Sequence, residues 1–350
     1  MTDFGSLTEF TTNQTRLAYP VKTTLPAPDL SDEKILRFVC GIRPCRTGGL
    51  RLEADEIGGK PIVHNYGHGG CGVTLGPGCA EEVTRLVTSA VKPGASAAVL
   101  GGGVTGLTSA LALLRAGYRV KVYADTFAIE TVSNIAGALW LPTGIDFPEP
   151  GPARERFNGL LRLSHAQFKA MNGLRWGVNE YSVYEPVDTE DHPEFFESGV
   201  IQPPRPMVES DPDVPGLVGE GRVFRTLFID TPTFLGELVS EIERLGGRRV
   251  TKSFGSLDDV AALDESVVVN CLAMGSKTLF GDDAMYPARG LLVHMQPQKL
   301  GYIYHDGYRY MFPRQGALVL GGCFEPGITE PPENDEPFRA ILERHRARFS

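Results

Sequence analysis

The sequence has no long hydrophobic run. No apolar stretch of the 350 residues reaches the roughly 18 residues that a membrane-spanning helix needs. The polar N-terminal residues 1–14 also lack the apolar core of a secretory signal peptide. We therefore expect no membrane partner and a cytoplasmic protein.

Cysteine is sparse, with six residues in 350 and no CxxC pair: Cys40, Cys45, Cys71, Cys79, Cys271 and Cys323. A disulfide framework or a structural zinc site needs closely and regularly spaced cysteines. The spacing predicts a reducing compartment, no disulfide framework and no metal site.

Positive charge is in deficit, since 34 Lys and Arg stand against 43 Asp and Glu, and the net charge is −9. The basic residues form no stripe, so we expect no nucleic-acid partner. Hydrophobic residues at 42% and charged residues at 22% exclude disordered and fibrous classes. The length predicts about two domains. With 41 glycines and 26 prolines, many tight turns are expected in a ligand-handling α/β protein.

Apolar periodicity predicts the elements along the chain. A connector, 88–96, separates two groups of them. We predict strands at 35–41, 97–100, 120–124 and 267–271, a strand with a glycine loop at 63–75, helices at 78–87, 107–116, 156–171 and 234–245, and antiparallel strands over 291–322.

A glycine-rich loop follows the strand at 97–100 and fits GxGxxG: Gly101, Gly102, Gly103, Val104, Thr105 and Gly106. Its glycines permit a tight turn and let backbone N–H groups approach a pyrophosphate at the N-terminus of the next helix. Asp125 ends the following strand about 20 residues later, where a carboxylate accepts from a ribose hydroxyl. This unit predicts dinucleotide binding, and the motif alone does not separate FAD from NAD.

Longer segments resemble the D-amino-acid oxidase family. They include VYADTF (122–127), SNIAGALWLP (133–142), VVVNCLAMGSKTLFGD (267–282), YMFPR (310–314), CGIRPCRTGGLRLE (40–53) and VHNYGHGGCGVTLGPGCAEE (63–82). The order differs from the family's, in which the dinucleotide loop opens the chain and HNYGHGG nearly closes it. The resemblance therefore implies a circular permutation in which residues 88–96 join the family's usual termini.

The resemblance implies an α/β fold with a Rossmann-type FAD-binding domain and a substrate domain built on a mainly antiparallel sheet. We expect residues 36–145 and 222–290 in the first domain, 146–221 and 291–350 in the second, and 1–35 as a surface extension.

The resemblance also implies FAD as a non-covalent cofactor, with Cys71 a small buried residue and not a flavin thioether. Backbone N–H groups of Gly72, Val73 and Thr74, at the start of the helix after the HNYGHGG segment, would face the flavin N1–C2=O edge. Besides the GxGxxG loop, the expected FAD contacts are Gly69, Gly70, Gly72, Val73, Thr74, Asp125, Thr126, Thr131, Val132, Ser133, Gly137, Ala138, Leu139 and Phe254.

For the substrate, the resemblance assigns Arg43 to a two-pronged hydrogen bond with a carboxylate and Tyr310 to the same group. The carbonyl of Gly70 would accept from the substrate amine. Tyr304 and Tyr308 are both available as a second active-site tyrosine. A surface salt bridge is the structural alternative for Arg43, and core packing is the alternative for Tyr310. His64 and His68 are interpreted as braces of the loop.

The implied activity is the FAD-dependent oxidation of a D-amino acid by hydride transfer to flavin N5. Its products are a 2-oxo acid, ammonia and, with oxygen as acceptor, hydrogen peroxide. No side chain need act as a base, since orientation of the substrate suffices. Alternatives are oxidation of an L-amino acid, glycine, a secondary amine or D-aspartate, a silent flavin-binding scaffold, and an NAD-dependent dehydrogenase. A homodimer stays open.

Overall fold

Two β-sheets organise the chain in the computed structural model, which describes residues 23–217 and 220–350. The strands are β1 (Ile35–Arg46), β2 (Arg51–Ile57), β3 (Lys60–Tyr66), β4 (Ser96–Gly102), β5 (Arg119–Phe127), β6 (Val178–Pro186), β7 (Arg205–Pro206), β8 (Gly221–Ile229), β9 (Arg248–Thr251), β10 (Val267–Asn270), β11 (Met285–Met295), β12 (Ile303–His305), β13 (Tyr310–Pro313), β14 (Leu318–Gly321) and β15 (Glu325–Pro326). The helices are α1 (Gly72–Ala90), α2 (Val104–Arg115), α3 (Pro152–Ala170), α4 (Thr231–Arg244), α5 (Leu257–Ala261), α6 (Gly275–Phe280) and α7 (Glu336–Phe349).

The smaller sheet has the strand order β2-β3-β10-β4-β5-β9 among the described residues, and only β2 runs antiparallel to its neighbour. Its central strand β10 is apolar throughout Val267–Val269 and fully buried. Strands buried on both faces are typical of parallel sheets covered by helices. The sheet and the α2 helix after β4 confirm the predicted α/β, Rossmann-type unit.

The larger sheet has the order β1-β11-β14-β13-β12-β6-β8-β7, with β15 paired to β11, and among these described strands only the β12–β6 pair is parallel. Side chains along β11 alternate between its two faces. Leu291 and Val293 pack toward α7, whereas Leu292 faces the cluster shared with the smaller sheet. The predicted mainly antiparallel sheet is confirmed.

The strands do not divide at the domain boundaries that the sequence suggests. Both β1 and β8 pair within the larger sheet, although we expected 36–145 and 222–290 to form the FAD-binding domain. Sheet membership depends on pairing between distant segments, and a local pattern does not carry that information. The predicted division into two domains therefore stays a prediction, and the sheets to which β1 and β8 belong do not follow its boundaries.

The N-terminal extension over 1–35 lies partly outside the described residues, which begin at residue 23. From there Leu30 is buried, and its carbonyl accepts hydrogen bonds from Arg346 of α7. This part of the extension is therefore packed against the C-terminal helix. Within residues 23–217 and 220–350, no helix is both long enough and apolar enough to cross a membrane.

Helix α1 begins at Gly72, six residues before the predicted start at 78. Gly72, Gly76, Pro77 and Gly78 are weak helix formers in a helix interior, which hid this first part from the periodicity. The earlier start matters because it places the N-terminus of α1 directly after the glycine loop.

Candidate active site

A cavity of about 870 Å³ lies between the two sheets. Its size falls within the range of about 300–1,000 Å³ that is usual for ligand sites. One wall comes from the carboxyl ends of β4 and β5 and from the HNYGHGG loop. The opposite wall comes from β1, β11 and β13. The cavity therefore joins the glycine loops of the smaller sheet to the antiparallel sheet.

Two helix N-termini meet at this cavity. A Cβ built on Gly72 at the start of α1 would lie 3.6 Å from Cγ1 of Val104 at the start of α2. In α2 the first helical hydrogen bond runs from Leu107 N–H to Gly103 O at 2.9 Å, so the N–H groups of Thr105 and Gly106 precede the helical ladder. Paired N-termini concentrate partial positive charge, which suits the phosphates and the electron-rich edge of a dinucleotide.

The glycines of the GxGxxG loop are required by close backbone contacts. A Cβ on Gly106 would lie 1.9 Å from the carbonyl oxygen of Gly101, so the third glycine permits α2 to pack on β4. Gly101 itself has φ +120°. Gly101, Gly102, Gly103, Val104 and Thr105 line the cavity, whereas Gly106 lies behind them.

Asp125 lines the cavity near the end of β5 and is exposed, and the hydroxyl of Ser253 donates to its carboxylate. Ser133 braces the loop, because its Oγ accepts from Val104 N–H at 3.0 Å. The structure brings the other expected FAD contacts to the same cavity, namely Gly69, Gly70, Gly72, Val73, Thr74, Thr126, Thr131, Val132, Gly137, Ala138, Leu139 and Phe254.

Cys71 is fully buried between two cavity-lining glycines and is not part of the cavity wall. Its thiol donates to the carbonyl of Thr143 at 3.0 Å, and burial raises the pKa of the thiol well above its usual value. A neutral, buried thiol is a poor nucleophile toward a flavin. This geometry supports non-covalent binding of the cofactor.

His64 and His68 differ in their contacts. His64 contacts Asn270 at 3.1 Å and lies 3.5 Å from Asp55, as a bracing residue does. The buried ring of His68 has no hydrogen-bond partner for Nε2 within 23–217 and 220–350, and burial lowers the pKa of His68 to about 4. In the described part of the chain, no three His, Cys, Asp or Glu side chains cluster so that they could hold a metal ion.

Arg43 lies on β1 at the antiparallel wall of the cavity. Its Nη1 donates to the carbonyls of Cys323 at 3.2 Å and Arg289 at 3.4 Å, and its guanidinium lies 5.5 Å from the ring centroid of Phe324. No carboxylate of the described residues forms an ion pair with it. A guanidinium held by neutral carbonyls at a cavity wall suits a carboxylate ligand. This arrangement disfavours the surface salt-bridge alternative.

Tyr310 lies on β13, two strands from β11, and its ring extends back over β14. A Cβ on Gly321 of β14 would lie 2.1 Å from Cζ of Tyr310, and a Cβ on Gly290 of β11 would lie 2.4 Å from Nη1 of Arg43. These two glycines leave the space in which the guanidinium and the phenol approach each other over the sheet. Burial raises the pKa of Tyr310, and the Arg43 charge opposes that rise.

Of the two candidates for a second tyrosine, only Tyr308 lines the cavity, and it is 55% exposed. Tyr304 is fully buried, with its hydroxyl accepting from Arg348 Nε at 2.6 Å and its ring packed on Phe349. The structure places Tyr304 outside the cavity, so Tyr308 is the one of the two that stays a candidate. Alternation along β12 turns Tyr304 to the face that α7 covers.

Several residues of the antiparallel wall are not indicated by the sequence motifs: Gly290, Leu292, His305, Phe312, Cys323 and Phe324. Their sequence signal is weak. Four of them are strand residues, and any strand residue on the correct face of the sheet would qualify. Cys323 and Phe324 lie between β14 and β15, where no motif marks them. Register would have found His305, which pairs directly with Tyr310. Gly290 and Gly321 were detectable as glycines inside strands, where glycine often marks close approach.

We expect Gly321→Ala to lower kcat/KM for a carboxylate substrate by roughly 10- to 100-fold. This range corresponds to the loss of one hydrogen bond to a charged group. The new methyl group would overlap the Tyr310 ring and displace its hydroxyl. Steady-state kinetics of the flavin-loaded variant tests this. The double variant Gly321→Ala/Tyr310→Phe should lose little more than Tyr310→Phe alone. Additive losses would contradict the role given to Gly321.

A family model described as "DAO: FAD dependent oxidoreductase" matches residues 6–86 and 96–350. Among curated proteins, human D-aspartate oxidase is 29% identical over 257 residues, covering 71% of this chain and 74% of that protein. A D-amino-acid oxidase from Streptomyces coelicolor is 29% identical over 269 residues, covering 70% and 75%.

Among solved structures, glycine oxidase from Geobacillus kaustophilus superposes with a TM-score of 0.51 at 15% identity, covering 72% of this chain and 77% of that one. At this identity the similarity shows a shared fold.

Proposed function

Since the chain belongs to the DAO family of FAD-dependent oxidoreductases and FAD is its cofactor, we propose that it oxidises D-amino acids to 2-oxo acids with release of ammonia. The observation that carries this proposal is the pair Arg43 and Tyr310. They converge at one wall of the cavity, and the opposite wall is formed by the GxGxxG and HNYGHGG loops. The two relatives named for D-amino-acid and D-aspartate oxidation support the choice of substrate class.

The residues present fit FAD. The N-termini of α1 and α2 would provide backbone donors, Asp125 would provide a ribose acceptor, and the glycines of the two loops leave the backbone there uncovered by side chains of their own. When bound, FAD supplies the acceptor for a hydride. The protein contributes a fixed arrangement of dipoles and a shaped cavity, as in other cofactor enzymes.

Arg43 and Tyr310 would hold the substrate carboxylate, and the carbonyl of Gly70 would accept from the amine. Two anchors at the carboxylate and one at the amine fix the orientation of the Cα–H bond, which is the main requirement for hydride removal. The two histidines at the cavity, His68 and His305, have pKa values lowered to about 4 by burial. Both are neutral at physiological pH, which fits a mechanism that needs no charged acid or base at this position.

A panel of D- and L-amino acids, glycine and secondary amines, assayed for hydrogen peroxide and 2-oxo acid, tests this proposal. We expect turnover with D-amino acids and none with their L-enantiomers. Turnover confined to L-amino acids, glycine or secondary amines would contradict the D-amino-acid substrate and would assign the chain another amine substrate within the same family. An absence of turnover with the whole panel would favour a flavin-binding scaffold.

We propose further that the chain is circularly permuted relative to the family. The family match breaks at 87–95, which includes the connector between α1 and β4. The two ends of the described chain also lie together. Thr24 pairs with Asp213, and a Cβ on Gly216 would lie 2.9 Å from the carbonyl oxygen of Arg348.

Moving residues 1–90 behind residue 350 through a flexible joint should restore the family order and keep flavin binding. New ends in the connector should be tolerated, because residues 92–94 are exposed. The joint should be short, because Thr24 and Arg348 both lie near residues 213–216. The measurement is flavin content and melting temperature of the rearranged protein. The control is the original chain with the same joint attached at residue 350. If that control is tolerated and the rearranged protein is insoluble or colourless, the result would count against the permutation.

A further inference from the structure

His305 occupies the position beside Tyr310 on the antiparallel wall. It pairs with Tyr310 across β12 and β13, and directly opposed residues of an antiparallel pair share a face. It lines the cavity, although it is only 8% exposed. His305 and Arg43 thus lie on either side of Tyr310, across the face of one sheet.

Fixed positive charge is confined to two cavity-lining side chains in the described residues, Arg43 and Lys252. Lys252 lies at the dinucleotide end, where its N–H donates to Ala124 O and its ammonium lies 5.1 Å from the Phe254 ring centroid. In the described part of the cavity, Arg43 is therefore the one fixed cation on the Tyr310 side. If Arg43 binds the α-carboxylate, the described residues at this end of the cavity offer a second carboxylate no fixed cation.

Apolar groups surround this end of the cavity. They are Ile135, Leu292, Phe312 and Phe324, and the Phe312 ring stacks on Tyr310 at a centroid distance of 4.5 Å. An apolar enclosure strengthens binding of uncharged side chains and makes an unpaired charge expensive.

His305 is neutral in this setting. Its Nδ1 accepts from Gly307 N–H at 3.1 Å, so the ring proton is on Nε2. Burial lowers its pKa to about 4, with Asp306 and His192 as the charged or titratable neighbours. The carboxylate of Asp306 is engaged with Arg309 at 2.6 Å and does not hold His305 in the charged form.

We infer that the cavity selects D-amino acids with uncharged side chains and that His305 is the residue that sets this selectivity. This inference rests on the proposed function. A side-chain carboxylate would be buried next to a neutral imidazole and aromatic rings, whereas an amide or a hydrocarbon would be accepted. The inference separates this chain from its human relative named for D-aspartate, although the two are 29% identical.

D-asparagine and D-aspartate form a matched pair, since they have nearly the same shape and differ in charge. For the flavin-loaded enzyme at pH 7.5 we expect kcat/KM to be at least about 100-fold higher for D-asparagine. His305→Arg should reduce this ratio at least about tenfold by adding a fixed cation. His305→Gln, which keeps a neutral donor, should leave the ratio near that of the wild type.

Ligand binding gives a readout independent of turnover. Perturbation of the flavin spectrum should show succinamate binding at least about tenfold more tightly than succinate, and His305→Arg should narrow the difference. If His305→Arg does not fold, the wild-type enzyme still tests the preference for an uncharged side chain, through D-asparagine against D-aspartate and succinamate against succinate. Equal or better use of D-aspartate would overturn the inference while leaving the proposed function intact. Failure to oxidise any D-amino acid would instead remove the proposed function.

Discussion

Arg43→Ala is expected to lower kcat/KM for D-amino acids by roughly 10²- to 10³·⁵-fold. Breaking a desolvated, hydrogen-bonded charge pair from one side costs about 3–5 kcal/mol, because the remaining charge is buried without a partner. Arg43 is suited to this pair, since carbonyl groups hold its guanidinium and no carboxylate of the described residues neutralises it. The measurement is steady-state kinetics with a D-amino acid that the wild type uses well.

The controls separate a substrate contact from a structural role. Arg43→Lys should recover little, because an ammonium does not reproduce the two-pronged geometry. D-amino-acid amides should lose far less activity than the acids on mutation. The exposed Arg85 is a matched control whose replacement by Ala should change neither kinetics nor flavin content. Equal losses for acid and amide would show that Arg43 braces the fold and would remove the substrate assignment.

Gly103→Leu is expected to weaken FAD binding by at least about 100-fold, or about 2.7 kcal/mol. Gly103 lines the cavity at the start of α2, and a Cβ there would lie 3.0 Å from Oγ of Ser133. That neighbour is a side-chain hydroxyl and is able to rotate, so the fold should persist. The rest of a leucine side chain would fill the space in which the phosphates approach the backbone. Titration of the apoprotein with FAD measures the effect.

Gly236 provides the matched control for this glycine substitution. It lies within α4, and a Cβ on it would meet no atom within 4 Å. Gly236→Ala should leave FAD binding unchanged and stabilise the helix slightly. If Gly103→Leu retained wild-type affinity for FAD with an unchanged melting temperature, the cofactor would not lie against this loop.

The parts of the site that sequence predicts well are those in which a backbone requirement fixes the residue type. The GxGxxG loop is an example, because Gly106 must allow α2 to contact Gly101, and no larger residue fits. The antiparallel wall follows a different rule. His305 can be placed in the site only from its pairing with Tyr310. That pairing depends on which strands meet, and a local sequence pattern does not show this.

Tyr304 and β1 show the same limit. The Tyr304 side chain faces α7 because of the parity of a three-residue strand, and β1 joins the larger sheet through pairing with β11, more than 200 residues away along the chain. A sequence pattern specifies which residues are apolar more readily than which distant strand they meet. Residues that depend on long-range pairing were therefore the ones misplaced or missed.

Anaerobic mixing of the purified, yellow protein with enantiomeric amino acids tests the central proposal most directly, because it isolates the reductive half-reaction from the choice of oxidant. We expect D-asparagine or D-methionine to bleach the flavin absorbance and the L-enantiomers to leave it unchanged. Arg43→Ala should slow this bleaching while leaving the initial flavin spectrum unchanged. Bleaching by L-amino acids with none by the D-enantiomers, or no bleaching by any amino acid, would contradict the account.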